Sequence, residues 1–173
     1  MRPSLTSQVN HWLRVTVPGL MALALLLIGV LPLGLPDFGP IAPVLTLPAV
    51  YYWSIYRPDL MPAPLAFALG LLHDILNGGP PGLMALVLLL VQGACVSQSK
   101  VVVGKSFVVG WFGFLLIAAG AHIAAWLLAC IYYFQALAFW PVLMQFVVTM
   151  LLYPFIARLF SLTQAWIARV EIE

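Results

Sequence analysis

Between Val15 and Phe160 only Asp37, Arg57, Asp59, Asp74, Lys100, Lys105 and Arg158 carry a charge. A water-facing surface cannot be assembled from so few charged side chains. Soluble domains are about a quarter charged, whereas here the share is 7% against 64% apolar residues. Lipid must solvate most of the chain. The expected fold is therefore all-α, a polytopic bundle of about six transmembrane helices. Six spans of roughly 20 residues would use most of the chain, which leaves short loops and no separate soluble domain.

Glycine and proline punctuate the apolar runs and set the expected spans. The first is Val15–Leu33, closed by the turn-rich Gly34–Pro40. The second is Ile41–Tyr56, ending in Tyr51, Tyr52, Trp53 and Tyr56, followed by the hinge Arg57-Pro58-Asp59. The third, Pro62–Leu76, has Pro62 and Pro64 in its first turn, where proline is tolerated. A second break, Asn77–Gly82, precedes the fourth, Leu83–Val96. A polar stretch with Gln98, Lys100 and Lys105 leads to the fifth, Phe107–Tyr133, and the sixth is Phe139–Phe160. Residues 1–14 are expected to form a cytoplasmic N-terminal segment, 15–160 the transmembrane domain and 161–173 a cytoplasmic amphipathic tail with Trp166 and Arg169. The run from Val15 is too long for a signal-peptide core and lacks a small-x-small cleavage site, so it reads as an uncleaved span.

The basic residues orient this arrangement. Arg2, Arg14, Arg57, Lys100, Lys105, Arg158 and Arg169 all fall on one side of a six-span chain. The positive-inside rule makes that side the cytoplasm, with both termini there, in the bacterial inner membrane. Tyr51–Tyr56 and Trp166 would mark the inner interface, and Tyr132, Tyr133 and Trp140 the outer one. Spans two to four are short: fifteen helical residues rise about 22 Å against a core of about 30 Å. Either the bilayer thins there or the break after span three lies at membrane depth, where non-helical backbone must be covered by protein or line a cavity. No internal repeat marks an inverted-repeat transporter.

Asp74 is the only carboxylate placed inside a span. A charge there is costly, about 2.5–3.5 kcal/mol on insertion scales, so it should face the bundle interior. Ala66, Gly70 and Asp74 share one helix face, and Gly70 allows a neighbouring helix to come close. Asp74 lies one turn before Gly78, so its carboxylate is placed to accept backbone N–H groups of the turn that follows; a packing or partner-contact role for the same face, and proton or solute binding, stay open. His73 points about 100° away from Asp74. His122, inside span five, reads as a helix-to-helix hydrogen bonder before a metal ligand. Gly113, Ala121, Ala125 and Ala129 form a small-residue face, suited to internal packing or to docking a partner helix. Cys95 and Cys130 sit in apolar runs and read as packing residues rather than a disulfide.

No H-E-x-x-H, G-x-S-x-G or Walker A motif is present, and an aspartyl protease would need a second intramembrane carboxylate. No enzyme activity, cofactor or metal is expected. The net charge of +2 is too small to imply a nucleic-acid partner.

From Tyr51 to Leu86 the sequence resembles the MreD family, bacterial rod shape-determining membrane proteins. The likeness rests on Gly70-Leu71-Leu72-His73-Asp74-Ile75-Leu76-Asn77-Gly78, then Gly79-Pro80-Pro81-Gly82, then Leu83-Met84-Ala85-Leu86. This run follows the family pattern G-L-L-x-D-x-x-x-G-x-x-x-G. Tyr52 and the Arg57-Pro58 hinge are also similar, and length and span number fit throughout. The resemblance implies a non-catalytic membrane scaffold of the cell-elongation machinery that supports peptidoglycan synthesis. It implies MreC as direct partner and, through it, MreB, RodA and a class B penicillin-binding protein, within membrane lipid. The family is also similar in span count to the S components of energy-coupling-factor transporters. A solute-binding transport subunit is therefore the competing reading, with Asn77, Gln92, Gln135 and Gln145 as its interior polar candidates.

Overall fold

The structure, a computed structural model, describes residues 5–31 and 42–170, with the side chains of 5–15, 101 and 166–170 left aside. The expected turn at Gly34–Pro40, Arg2 and the end of the tail lie outside the described residues, as do the Trp166 and Arg169 side chains.

Among the described residues six α-helices run in the order α1 (Leu5–Val30), α2 (Thr46–Tyr56), α3 (Ala63–Asn77), α4 (Leu83–Val102), α5 (Phe107–Tyr133) and α6 (Trp140–Val170), with a 3₁₀ turn at Pro58–Leu60 between α2 and α3. No strand occurs among the described residues. Among the described residues three segments are long and apolar enough to cross a membrane: Leu83–Lys100, Phe107–Tyr133 and Trp140–Ala165. Thr16–Val30 and Ala63–Asn77 are shorter apolar stretches. The outward faces carry Leu, Ile, Val and Phe side chains, among them Leu116, Ile131, Leu151 and Phe155, as a lipid-solvated bundle requires.

The centre of the bundle is α2, and this departs from expectation. It is 11 residues long, a rise of about 16 Å, roughly half the hydrocarbon thickness. Every residue from Thr46 to Ile55 is buried, and all five other helices touch it. Tyr51, Tyr52 and Trp53 therefore turn inward rather than toward lipid. They form the core, with Trp53 fully buried. Tyr51 meets Phe114 edge-on at 5.2 Å, and Phe114 stacks on Tyr153 at 4.0 Å. Since lipid is as apolar as these rings, what holds them together is close packing and interhelical hydrogen bonding rather than water exclusion.

A helix this short exposes its ends inside the protein, and α6 supplies partners at one of them. The Val44 N–H donates to Thr149 Oγ1 at 3.2 Å, and the Gln145 amide donates to the Ala42 carbonyl at 2.8 Å. At the other end the Gln92 amide donates to the Met61 carbonyl at 3.2 Å. Non-helical backbone within the bundle is thus covered by side chains of longer helices.

Three helices run beyond the expected spans. The stretch around Gln98 and Lys100 continues α4 to Val102, and α6 continues through the expected tail to Val170. At the other terminus α1 already begins at Leu5. Polar residues do not themselves stop a helix, and no glycine or proline interrupts 96–102. Cys95 and Cys130 are free thiols.

Candidate functional site: the Asp74 turn and the groove beside it

The α3–α4 hairpin begins with a glycine. A methyl group on Gly70 would lie 2.6 Å from the Ala85 nitrogen and 2.7 Å from the Met84 carbonyl oxygen. Those are backbone atoms of α4, so only glycine lets the two helices approach this closely. One turn on, Asp74 is 4% exposed. Its carboxylate accepts from the Gly82 N–H at 2.8 Å, the Met84 N–H at 3.0 and 3.1 Å and the Ala85 N–H at 3.4 Å. These N–H groups belong to the first turn of α4, which Gly82 itself does not cap with a side chain. A carboxylate reaching over from α3 thereby satisfies orphan donors and meets the positive end of the α4 dipole.

The chain between them turns through glycines at φ 65° (Gly78) and 94° (Gly82), a region that side chains disfavour. The Gly79 N–H returns to the Asp74 carbonyl at 3.1 Å. Asp74 thus fixes the turn with its backbone and the next helix with its side chain.

Beside this turn opens a cavity of about 470 Å³, between the α3–α4 corner and the facing ends of α5 and α6. Among the expected residues, His73, Asp74, Pro80, His122 and Ala125 line it, and Ala129 does too. Gly70, Gly78 and Gly82 are not among the residues that line it. Ala121 lies just below, at a void of about 20 Å³ shared with His122 and Gln145. Gly113 is not part of this site. It lies further along α5 against Tyr51, whose hydroxyl would be 2.6 Å from an added methyl and which donates to the Gly110 carbonyl at 2.8 Å. The small-residue face of α5 is therefore divided, with Gly113 and Ala121 packing inward and Ala125 and Ala129 lining the groove.

The far wall comes from residues not singled out in the sequence: Trp126, Leu137, Pro141 and Val142. Trp126 donates its indole N–H to the Leu137 carbonyl at 3.1 Å, which closes the α5–α6 corner. An aromatic residue near a span end was the available signal, but it does not say which side the ring faces.

Three of the polar side chains in the groove are committed. Asp74 serves α4, the Asn77 amide donates to the His73 carbonyl at 2.9 Å, and Gln145 holds Ala42. His122 Nδ1 lies 2.8 Å from the Ala118 carbonyl, so this nitrogen carries the proton and Nε2 is left as an acceptor. Nε2 has no partner among the described residues. No group of three or more His, Cys, Asp or Glu is placed to hold a metal among them either. What the arrangement offers is a largely apolar recess with a rigid, charge-clamped rim.

No curated protein and no solved structure matches the chain. The sequence model of the family described as rod shape-determining protein MreD matches residues 8–163, a span that includes every residue lining this groove. The chain belongs to the MreD family of rod shape-determining membrane proteins.

Proposed function

We propose that this protein is a non-catalytic scaffold of the bacterial cell-elongation machinery, with both termini in the cytoplasm of the inner membrane, and that the groove beside Asp74 receives MreC. Family membership supplies the cellular role. The observation that carries the site is the groove itself: about 470 Å³ of mostly apolar recess, at the end of the bundle away from Arg57, Lys100, Lys105 and Arg158. A single-span partner with a domain outside the membrane would present its membrane-proximal segment at that level. The α3–α4 rim needs no partner to form, because Asp74 and Gly70 fix it internally. It therefore acts as a preformed seat, which lowers the ordering cost of docking. MreB, RodA and a class B penicillin-binding protein would be reached through MreC.

The cavity volume also falls in the range of small-molecule sites, roughly 300–1,000 Å³, which keeps solute binding as a second reading. The mostly apolar lining favours the scaffold, since a transported solute would need more free donors and acceptors than this groove presents. A photo-crosslinking residue at Ala125 or Ala138 in native membranes tests both readings. Crosslinks to MreC are expected. Crosslinks to a coupling subunit with paired ATPases, and none to MreC, would replace the scaffold reading with the transport one.

A further inference from the structure

A second recess lies at the other end of the bundle, and nothing in the scaffold reading uses it. It measures about 680 Å³ and is bounded by the C-terminal end of α2, the start of α5 and the second half of α6. Its inner wall is aromatic, with Tyr52, Tyr56 and Tyr153. Its outer wall is apolar, with Phe107, Pro154 and Phe155. Phe107 and Phe155 are exposed, so this wall faces what surrounds the bundle. Pro154 lies inside α6 and cannot donate to the carbonyl one turn back, which loosens the helix at the recess. At one end of this apolar trough stand three polar side chains on one stretch of α6: Arg158, Ser161 and Gln164. Gln164 is held by the Tyr52 hydroxyl, which donates to its Oε1 at 2.9 Å. Arg158 makes no ion pair among the described residues, and no carboxylate lines the recess.

We propose that this recess is a binding site for one anionic phospholipid, its phosphate on Arg158 and an acyl chain along Phe107, Pro154 and Phe155. Three observations select this occupant. The outer wall is apolar and Arg158 is the one charged residue in the lining among the described residues, the pattern of a phospholipid and not of a soluble anion. The polar end carries the Arg158 guanidinium, whose fork of N–H donors matches phosphate oxygens, while the Ser161 hydroxyl donates to the Arg158 carbonyl at 2.8 Å. It also lies at the end of the bundle carrying Arg57, Lys100, Lys105 and Arg158, where basic pockets between membrane helices meet lipid headgroups. The uncompensated positive charge favours an anionic headgroup over a zwitterionic one. The site rests on the membrane bundle alone and is independent of whether MreC fills the other groove.

The test uses the full-length protein, delipidated in mild detergent and placed in nanodiscs of phosphatidylcholine with or without phosphatidylglycerol. Native mass spectrometry counts retained lipid, and thermal melting reports stability. Wild type should keep one phosphatidylglycerol in preference to phosphatidylcholine and melt higher when it is present. Arg158→Gln should lower that preference about fivefold, while Arg158→Lys should keep most of it. Lys100→Gln and Lys105→Gln, at the same end but outside the recess, should leave it intact. Equal loss in all these variants would reduce the effect to diffuse surface charge and overturn the site. Displacement of the lipid by inorganic phosphate would overturn the acyl contribution. Recovery of a protein segment crosslinked from Phe155 in place of lipid would assign the recess to a partner instead. Should Arg158→Gln fail to fold, Arg158→Met gives the same readout, and an unchanged lipid preference in that variant would overturn the assignment.

Discussion

The bundle closes on two glycines, and they differ in what an added methyl group would strike. At Gly70 it would meet α4 backbone, the Ala85 nitrogen at 2.6 Å and the Met84 oxygen at 2.7 Å. At Gly113 it would meet a single side-chain atom, the Tyr51 hydroxyl at 2.6 Å, with the next ring carbon at an ordinary 3.7 Å. Backbone in a helix cannot step aside without moving the helix, whereas a hydroxyl can be removed. The α3–α4 hairpin is thus a fixed unit, doubly secured by Gly70 and Asp74. The seam between α2 and α5 is adjustable, and the α5–α6 pair beside it leaves a recess at each end of the molecule. This division suits a scaffold in which one half sets the geometry and the other makes room for what docks.

The strongest way to break the comparison is Gly70→Ala. Overpacking against atoms that cannot yield should cost about 3 kcal/mol or more, near the upper end for such changes. The expected result is loss of most folded protein from detergent extracts. A variant that melts like wild type would mean that α3 can retreat from α4 and that the fixed unit is not fixed.

Asp74→Ala comes next. It strands the N–H groups of Gly82, Met84 and Ala85, and should cost about 2–3 kcal/mol, combining a lost cap with lost charge-assisted bonds. Asp74→Asn keeps one acceptor oxygen and should cost about 1 kcal/mol. Melting temperature in one detergent ranks the pair. Equal loss of cell-shape function by both variants at normal protein levels would show instead that the negative charge itself is needed, beyond holding the hairpin.

Gly113→Ala sharpens the contrast. Alone it should cost about 1–2 kcal/mol. Tyr51→Phe alone should cost about 1 kcal/mol for the lost bond to Gly110. Together they should be less harmful than their sum by about 1 kcal/mol, because the phenyl ring leaves space for the methyl. A double-mutant cycle on thermal unfolding gives the coupling. No such rescue is available to Gly70, and strict additivity at Gly113 would erase the distinction between the seams.

The fixed seam was the legible part of the molecule. A lone carboxylate in an apolar run has few ways to be tolerated in lipid, and the four-residue spacing of Gly70, Asp74, Gly78 and Gly82 left one corner for it to serve. The residues alone did not say that its donors would come from the first turn of α4 rather than the loop between. The adjustable half was hidden for a physical reason. Tyr51, Tyr52 and Trp53 have the composition of an interfacial belt and of a buried core alike. A helix apolar on every side reads the same whether lipid or protein surrounds it, so the central place of α2 could not be read from periodicity. Nor could the groove, because Trp126, Pro141 and Val142 become a wall only when the α5–α6 corner closes opposite a turn some sixty residues away in sequence.

The smallest effect belongs to His122, on the adjustable side. Its Nδ1–H donates to Ala118 within its own helix at 2.8 Å, and that carbonyl keeps its helical partner if the ring is removed. Its Nε2 is buried with no partner among the described residues, a state that costs about 1–3 kcal/mol when nothing relieves it. Leucine has a similar volume and no polar atom, so His122→Leu should leave the isolated protein equally stable or raise its stability by about 1 kcal/mol. Thermal melting of the purified variant decides. A drop would mean that Nε2 has a partner inside the bundle, and α5 would then be held as firmly as α4. A rise would mean that the histidine is retained at the protein's own expense, which places its use outside the isolated chain, in the occupied groove.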